Sequence, residues 1–439
     1  MIRWDACLAV VALAAAAISQ TKDAAAPKRA ASPEVVVLDN GLHVLHVPSP
    51  EATDVSIALA LPIGWGHDAK GRTGCAEVLR WFFEVTQVSV KTKQRFNVDV
   101  QAGQTLISHS GPRRDAVDRL AFIESLLAGK LEVTKDRVAV ALGRAKLESD
   151  NHSWLYPGSV IEQKAWRTVF RGKPEGRQSR GIPEEIARLD VAAVRKRYVD
   201  RYGCTGAALV IIGNLEPKIW DACRDRLSKP SRSGGPPARA VHDAAPTLTA
   251  DAVHARVDGP YVSAAFPALR PGDEDYLAFV VAMIVMRDRA YADLRQHGVE
   301  WDALSPPFSY LSWKGESLVR VNRRGKNGRD LTSAREDIEL FLQRMRKTGV
   351  RRSALGPARI EVANTMAVPP YASSSWSYLL PRARYLATAI CLDWPMDAVD
   401  RIGKVSLEDV NRVLKATLSE SNVRWFSLRP AKKLLLRRM

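Results

Sequence analysis

The alternation of apolar and polar positions divides this chain into short strands and amphipathic helices. Residues 35–38 and 42–47 are β-branched runs, and Asp39-Asn40-Gly41 between them is a strong hairpin turn. Residues 55–63, VSIALALPI, form a third strand. A glycine-rich loop at 64–74 leads into a helix at 75–85, and residues 97–108 read as two further strands. Helices are predicted at 113–128, 135–150 and 159–170. Pro183 opens another helical turn, with Glu184 and Glu185 where the helix dipole favours them. A helix at 191–202 precedes a buried-type strand at 207–212, which Gly213-Asn214 stops, and 217–227 is the last helix of this half.

Residues 229–251 contain Pro230, Gly234, Gly235, Pro236, Pro237 and Pro246 and have no apolar period, which predicts an inter-domain linker. The second half repeats the order. It starts with a strand at 261–268, a long helix at 273–295 and strands at 310–313 and 317–322. Helices follow at 331–348, 353–366, 375–391, 395–403 and 407–418, and a strand at 423–428 closes the chain. VSIALALP in the first half and VSAAFPAL in the second both lead through a loop into a helix. This faint duplication, with copies of about 200 residues, implies two α+β domains of similar design facing each other.

The chain has 439 residues, enough for two to three domains at roughly 150 residues each. Hydrophobic residues at 46% and charged residues at 26% exclude a disordered chain, a collagen and a coiled coil. Past the N-terminus no apolar run reaches about 18 residues, which excludes a multi-spanning membrane protein. Lys+Arg 65 against Asp+Glu 48 gives a net charge of +17, a bias toward anionic partners or simply a basic solvated surface.

Residues 1–19, MIRWDACLAVVALAAAAIS, carry Arg3 and an apolar stretch from Ala6 to Ile18 that is too short to cross a bilayer of about 30 Å. Ala17-Ile18-Ser19 fits a cleavage site, so residues 1–19 read as a signal peptide and 20–32 as a flexible leader; an uncleaved anchor is the other reading. The expected location is therefore the periplasm or the exterior. Export permits disulfides. Cys204 and Cys223 flank a strand-turn-helix pattern, and either pair or remain two buried thiols; no CxxC or zinc-ribbon spacing is present.

Several motifs together point to a family. Leu38-Asp39-Asn40-Gly41-Leu42-His43-Val44 resembles the LxNGLxV hairpin that opens peptidase family M16 proteins, the insulinase, pitrilysin and mitochondrial processing peptidase group. The helix beginning Gly74-Cys75-Ala76-Glu77 is similar to the family's GLAHxxEHML segment. The Gly181–Ile186 stretch and the helix at 191–202 resemble its GxxExI element and the helix after it. ALVIIGN at 208–214 resembles its LVVVGD strand, and the stretch from Ala292 to Trp301 its LRxxxGLAY segment. The resemblance implies two M16-type domains, residues 33–228 and 252–430, joined by the linker 229–251, closing over an inner chamber and followed by a basic tail at 431–439.

Active members of that family carry HxxEH on the first helix. Positions i and i+4 share one helical face, so two neutral imidazoles bind one Zn²⁺ while the Glu polarises its water. A Glu on a later helix completes the site. Here the two His positions are Glu77 and Trp81, the general-base position is Arg80, and the third-ligand position falls near Leu142. Indole does not bind zinc and Arg is permanently cationic, so no metal and no cofactor is expected. None of the eight histidines forms HxxEH or HExxH; His67, in the glycine-rich loop, is the nearest to the degenerate helix. Glu77 with Arg80, and Arg80 with Glu84, have ion-pair spacing, while Trp81, Phe82 and Phe83 read as packing residues.

In the second domain the family uses an Arg and a Tyr to hold substrate backbone. Arg295 matches the Arg and Trp301 falls at the Tyr, with one residue deleted between them. Basic clusters at 320–329, 344–352 and 432–438 read as solvated faces, or as surfaces for acidic peptide, lipid headgroups or another subunit; aromatics are not interleaved as nucleic acid would require. The resulting expectation is a catalytically silent M16 subunit that binds peptide and pairs with a zinc-bearing M16 peptidase or with itself. A non-enzymatic scaffold or binding protein of the cell envelope is the alternative, and an active zinc metallopeptidase is the third reading.

Overall fold

The computed structural model describes residues 34–87, 96–154, 157–171, 173, 176, 179–229, 234, 251–254, 260–270, 272–297, 318–324, 331–366, 376–394 and 401–430. The expected signal peptide, leader and basic tail lie outside these residues. So do Trp301, the strand expected at 310–313, and most of the linker 229–251 and of the helix expected at 395–403.

The fold is α+β, built on two sheets. The first half contributes β1 (Val36–Val37), β2 (His43–Pro48), β3 (Asp54–Leu61), α1 (Cys75–Thr86), β4 (Asn97–Val100), β5 (Thr105–Pro112) and α2 (Ala116–Leu127). It continues with α3 (Lys135–Trp154), α4 (Pro157–Val169), α5 (Pro183–Ile186), α6 (Val191–Arg201), β6 (Ala208–Gly213) and α7 (Pro217–Leu227). The second half contributes β7 (Asp251–His254), β8 (Tyr261–Pro267), α8 (Tyr276–His297), β9 (Leu318–Arg324) and α9 (Leu331–Thr348). It ends with α10 (Arg352–Met366), α11 (Trp376–Cys391), α12 (Leu407–Thr417) and β10 (Arg424–Pro430). Cys204 and Cys223 are both buried and are not bridged to each other, which matches the second of the two readings.

The strand orders are β1-β2-β6-β3-β5-β4 and β7-β10-β8-β9. The duplication seen faintly in sequence is explicit here. In each half an early strand lies parallel to the closing strand, β2 to β6 and β7 to β10, and the closing strand is antiparallel to β3 or β8. Each otherwise antiparallel sheet therefore contains one parallel pair. Early and closing strands of a half can lie side by side in the same direction because long helical crossovers separate them. The sequence reading has no strand at 251–254; β7 forms there by pairing with β10, from Ser427 opposite Asp251 to Pro430 opposite His254.

Both faces of the first sheet are buried, which explains the nearly continuous apolar run of β3. Ile57, Leu59, Leu209 and Ile211 point into a core shared with Val78, Leu79, Phe82 and Phe83 of α1. The alternate residues Ala58, Ala60, Val210 and Ile212 pack instead with Ala383, Leu386 and Ala387 of α11, a helix of the second half. The small side chains of Ala58 and Ala60 let α11 approach the sheet closely. The exchange is reciprocal: Val160, Ile161, Ala165 and Trp166 of α4 pack against Tyr261, Ala265, Phe426 and Leu428 of the second sheet. Polar contacts mark both crossings. Gln104 Nε2 donates to Thr388 Oγ1 at 3.1 Å, Arg384 pairs with Asp99 at 3.3 Å, and Arg320 lies 3.8 Å from Glu162.

Because each sheet is covered on one side by a helix from the other half, neither half can bury both faces of its own sheet. We expect one cooperative unfolding transition in calorimetry, with calorimetric and van't Hoff enthalpies equal. Two separated transitions would show that the halves are stable independently.

Candidate functional site

The site is built where α1 begins. Gly74 precedes the helix in the left-handed region, at φ 90°. Gly181 is also left-handed, at φ 74°, and the two backbones touch: a Cβ on Gly181 would lie 2.4 Å from the Gly74 Cα. Only glycines allow that approach. The 180–186 segment is clamped around it. Thr73 N donates to Glu185 Oε2 at 2.7 Å, Ile182 N donates to Thr73 Oγ1 at 3.1 Å, and Ser149 Oγ of α3 donates to Gly181 O at 3.0 Å. The free N–H groups of the first turn of α1 meet Asp68, which accepts from Gly74 N at 2.8 Å and Ala76 N at 3.1 Å. Asp68 is in turn held by Arg197 at 3.1 Å. His67 serves this same loop: its Nδ1 accepts from Gly64 N at 3.1 Å.

With α1 fixed, residues 77, 80, 81 and 84 form one stripe at helical spacing, facing α3. Glu77 is buried, 1% exposed. Its Oε1 accepts from Arg80 Nε at 2.7 Å, and both its oxygens lie 3.2 Å from Arg180 Nη1. Arg80 also pairs with Glu84 at 3.1 Å and with Glu148 of α3. Glu148 lies 3.2 Å from Arg180 and accepts from Trp81 Nε1 at 3.0 Å. The Arg80 guanidinium sits 4.1 Å from the Trp81 ring centroid and that of Arg144 5.1 Å from it. Three carboxylates thus surround one guanidinium, with a second guanidinium at the open side.

Burial raises the Glu77 carboxyl above its ordinary range, and the Arg180 and Arg80 guanidinium groups act against that rise. Burial also raises Glu84, opposed by Arg80. For Arg80 burial acts downward, but the surrounding Glu77, Glu148 and Glu84 outweigh it and raise its pKa, so it stays charged.

Glu77, Arg80 and Trp81 therefore come together as the sequence stripe requires. The carboxylate that α3 delivers is Glu148, not a side chain at Leu142. Leu142 is half-buried against the first-sheet core. Ala141, Ala145 and Ser149 are the buried face of α3, and Glu148 stands beside that face two turns beyond Ala141. Leu142 is about 100° away from Ala141 around the helix. Glu148 and Arg180 were missed in the sequence; the Ala141-Ala145-Ser149 spacing was the available signal for the first. Phe82 and Phe83 are core residues against Tyr198, as expected. Arg295 falls in the last turns of α8.

These residues do not fit a zinc ion. Glu77, the one metal-capable residue at the expected ligand positions on α1, is already bonded by two guanidinium groups, and the position opposite it is an indole. Among the described residues no cluster of three or more His, Cys, Asp or Glu is arranged to hold a metal. Arg80, at the expected general-base position, does not release its proton, and each carboxylate of the group has a cationic partner. The chemistry open to this arrangement is a fixed ion-pair latch joining α1, α3 and the 180–186 segment.

No family model matches the chain, and no curated protein matches it in sequence. Solved structures share its fold. A protease from Helicobacter pylori superposes with a TM-score of 0.73 at 15% identity, over 91% of this chain and 100% of that one. The peptidase M16 inactive domain from Pseudomonas fluorescens gives 0.71 at 15% identity, over 91% and 98%. The periplasmic protease PqqL from Escherichia coli gives 0.67 at 15% identity, over 93% of this chain and 48% of that one. The chain has the M16 peptidase-like fold, which an inactive domain shares with proteases.

Arg80→Ala leaves Glu77 with Arg180 alone and removes the partner of Glu84. We expect a loss of about 3 kcal/mol, the low end for breaking a buried pair because Arg180 remains. A carboxyl whose folded pKa is raised destabilises the fold when ionised and is relieved as pH falls through that raised value. The deficit of the variant should therefore shrink on acidification from neutral pH, as Glu77 takes up its proton, in urea denaturation at a series of pH values. A deficit that grows on acidification would contradict this electrostatic reading.

Proposed function

We propose that this chain is a catalytically silent M16-fold subunit that holds extended peptide while a zinc-bearing M16 peptidase subunit cuts it. The carrying observation is the ion-pair network at α1: where the family resemblance expects a metal and its activated water, Arg80 and Arg180 lie among Glu77, Glu84 and Glu148. Two of the structural neighbours are described as proteases and one as an inactive domain, consistent with one fold serving both roles.

Within this reading Arg295 is the residue of this chain that meets the peptide. It supplies a fixed cation with several donors, suited to backbone carbonyls and to charge that develops on them in the partner's reaction. Trp301, with one N–H donor, assists. The Arg80 latch keeps α1 rigid and denies the chain a hydrolytic centre of its own. The protein works after export, in the periplasm or outside the cell; PqqL is periplasmic, and among the described residues no helix is long and apolar enough to cross a membrane.

The test is peptide hydrolysis by the purified chain, alone and mixed with an HxxEH-bearing M16 protein encoded beside it. The chain alone should be inactive, and the mixture should exceed the partner alone. Arg295→Ala should reduce the mixture's activity by about 100-fold or more, the range for losing one oxyanion-type donor. Unchanged activity in that variant removes Arg295 from peptide binding, and no gain on mixing favours the envelope scaffold.

A further inference from the structure

Three helices of the second half, α8, α9 and α10, leave a groove of about 480 Å³ between them. Its floor is apolar: Val285 from α8, Phe341 and Met345 from α9, Ala354 and Pro357 from α10. Its rim is cationic, with Arg289, Arg344 and Arg351 against one carboxylate, Asp288. That carboxylate is engaged, accepting from Arg287 Nε at 3.0 Å and Nη2 at 2.7 Å. Arg287 also forms a two-point pair with Glu361 at 2.7 and 2.8 Å, which ties α10 to α8 beside the groove. Arg289 Nη1 donates to Thr348 Oγ1 at 2.9 Å and approaches Met345 Sδ at 3.5 Å, so its guanidinium is held over the α9 wall.

The lining positions repeat at helical spacing: 285, 288, 289 and 292 on α8, and 341, 344, 345 and 348 on α9. Each set covers two turns, about 10 Å of wall. One turn on from Arg344 and from Pro357 stand Leu340 and Ile360, exposed by 54% and 63%. They carry the apolar surface beyond the groove along both helices. The neighbouring Lys347 and Arg352 are exposed and add to the positive edge.

A trough with an apolar floor and cationic edges is the complement of an amphipathic helix whose apolar stripe is flanked by Asp and Glu. A flat membrane surface would meet the arginine edges and leave the concave floor uncovered. We propose that this groove docks an acidic amphipathic helix of a partner protein. The proposal uses only second-half elements and does not depend on the state of the α1 site.

The probe is a fluorescent amphipathic peptide of about 18 residues, long enough to hold a helix, with Leu on one helical stripe and Glu on the flanks. The controls are a scrambled peptide of the same composition and vesicles of anionic phosphatidylglycerol, each mixed with the full chain. We expect the amphipathic peptide to bind in preference to the scrambled one, with an affinity that falls as salt rises. The double variant Arg344→Glu/Arg351→Glu should weaken binding by about tenfold or more. Ala292→Trp, which fills the groove from an exposed position without changing charge, should weaken it too, whereas Arg351→Lys should retain it. Thermal melts establish that each variant is folded. Equal binding of the scrambled peptide, no binding at all, insensitivity to Ala292→Trp, or vesicle binding without peptide binding would each overturn the proposal.

Discussion

The guanidinium of Arg80 organises the charge network where α1 begins. It is a permanent cation fixed among three carboxylates of α1 and α3, one of them buried. A zinc peptidase of this fold needs at that place a divalent ion held by neutral imidazoles and a water it can activate. The charge balance here is met from within the chain. Arg80 and Arg180 neutralise the carboxylates that a metal would otherwise engage, and Trp81 Nε1 also donates to Glu148. Burial raises Glu77 and Glu84 while their arginines oppose it, so the network is a compromise between desolvation and pairing. Removing one member leaves the others more costly than before.

That network stands because the backbone around it is tightly constrained. Gly74 and Gly181 meet at a distance no side chain would allow, and this contact brings Arg180 over Glu77. Asp68 and Arg197 anchor the start of α1. Beneath the helix, Phe82 and Phe83 bind it to the first sheet. On the other face of that sheet lies α11, supplied by the second half, while α4 returns the exchange on the second sheet. The described residues of the two halves that support this site are thus joined by reciprocal packing.

Local features were legible in the sequence. The 77, 80, 81, 84 stripe is a matter of helical spacing, and the Glu77–Arg80–Glu84 ladder follows from it directly. The strands of the first sheet, the Asp39-Asn40-Gly41 turn and the duplication were also readable, because each depends on periodicity over a few residues. What escaped were facts of packing. Whether Leu142 or Glu148 meets α1 depends on the rotation of α3 about its axis, set by Ala141, Ala145 and Ser149. Arg180 lies far along the chain from Glu77, and the two-glycine contact with the hydrogen bonds around it brings them together. The parallel strand pairs and the exchange of α4 and α11 depend on which sheet edge or face is left open, which no local pattern records.

The central claim is that the protein's own arginines leave no place for a divalent ion at α1. Native mass spectrometry of the purified chain after incubation with zinc tests it most directly. The account predicts the mass of the chain without a retained ion, unchanged by Glu77→Gln. One zinc retained per chain in the original protein, and lost in that variant, would contradict it.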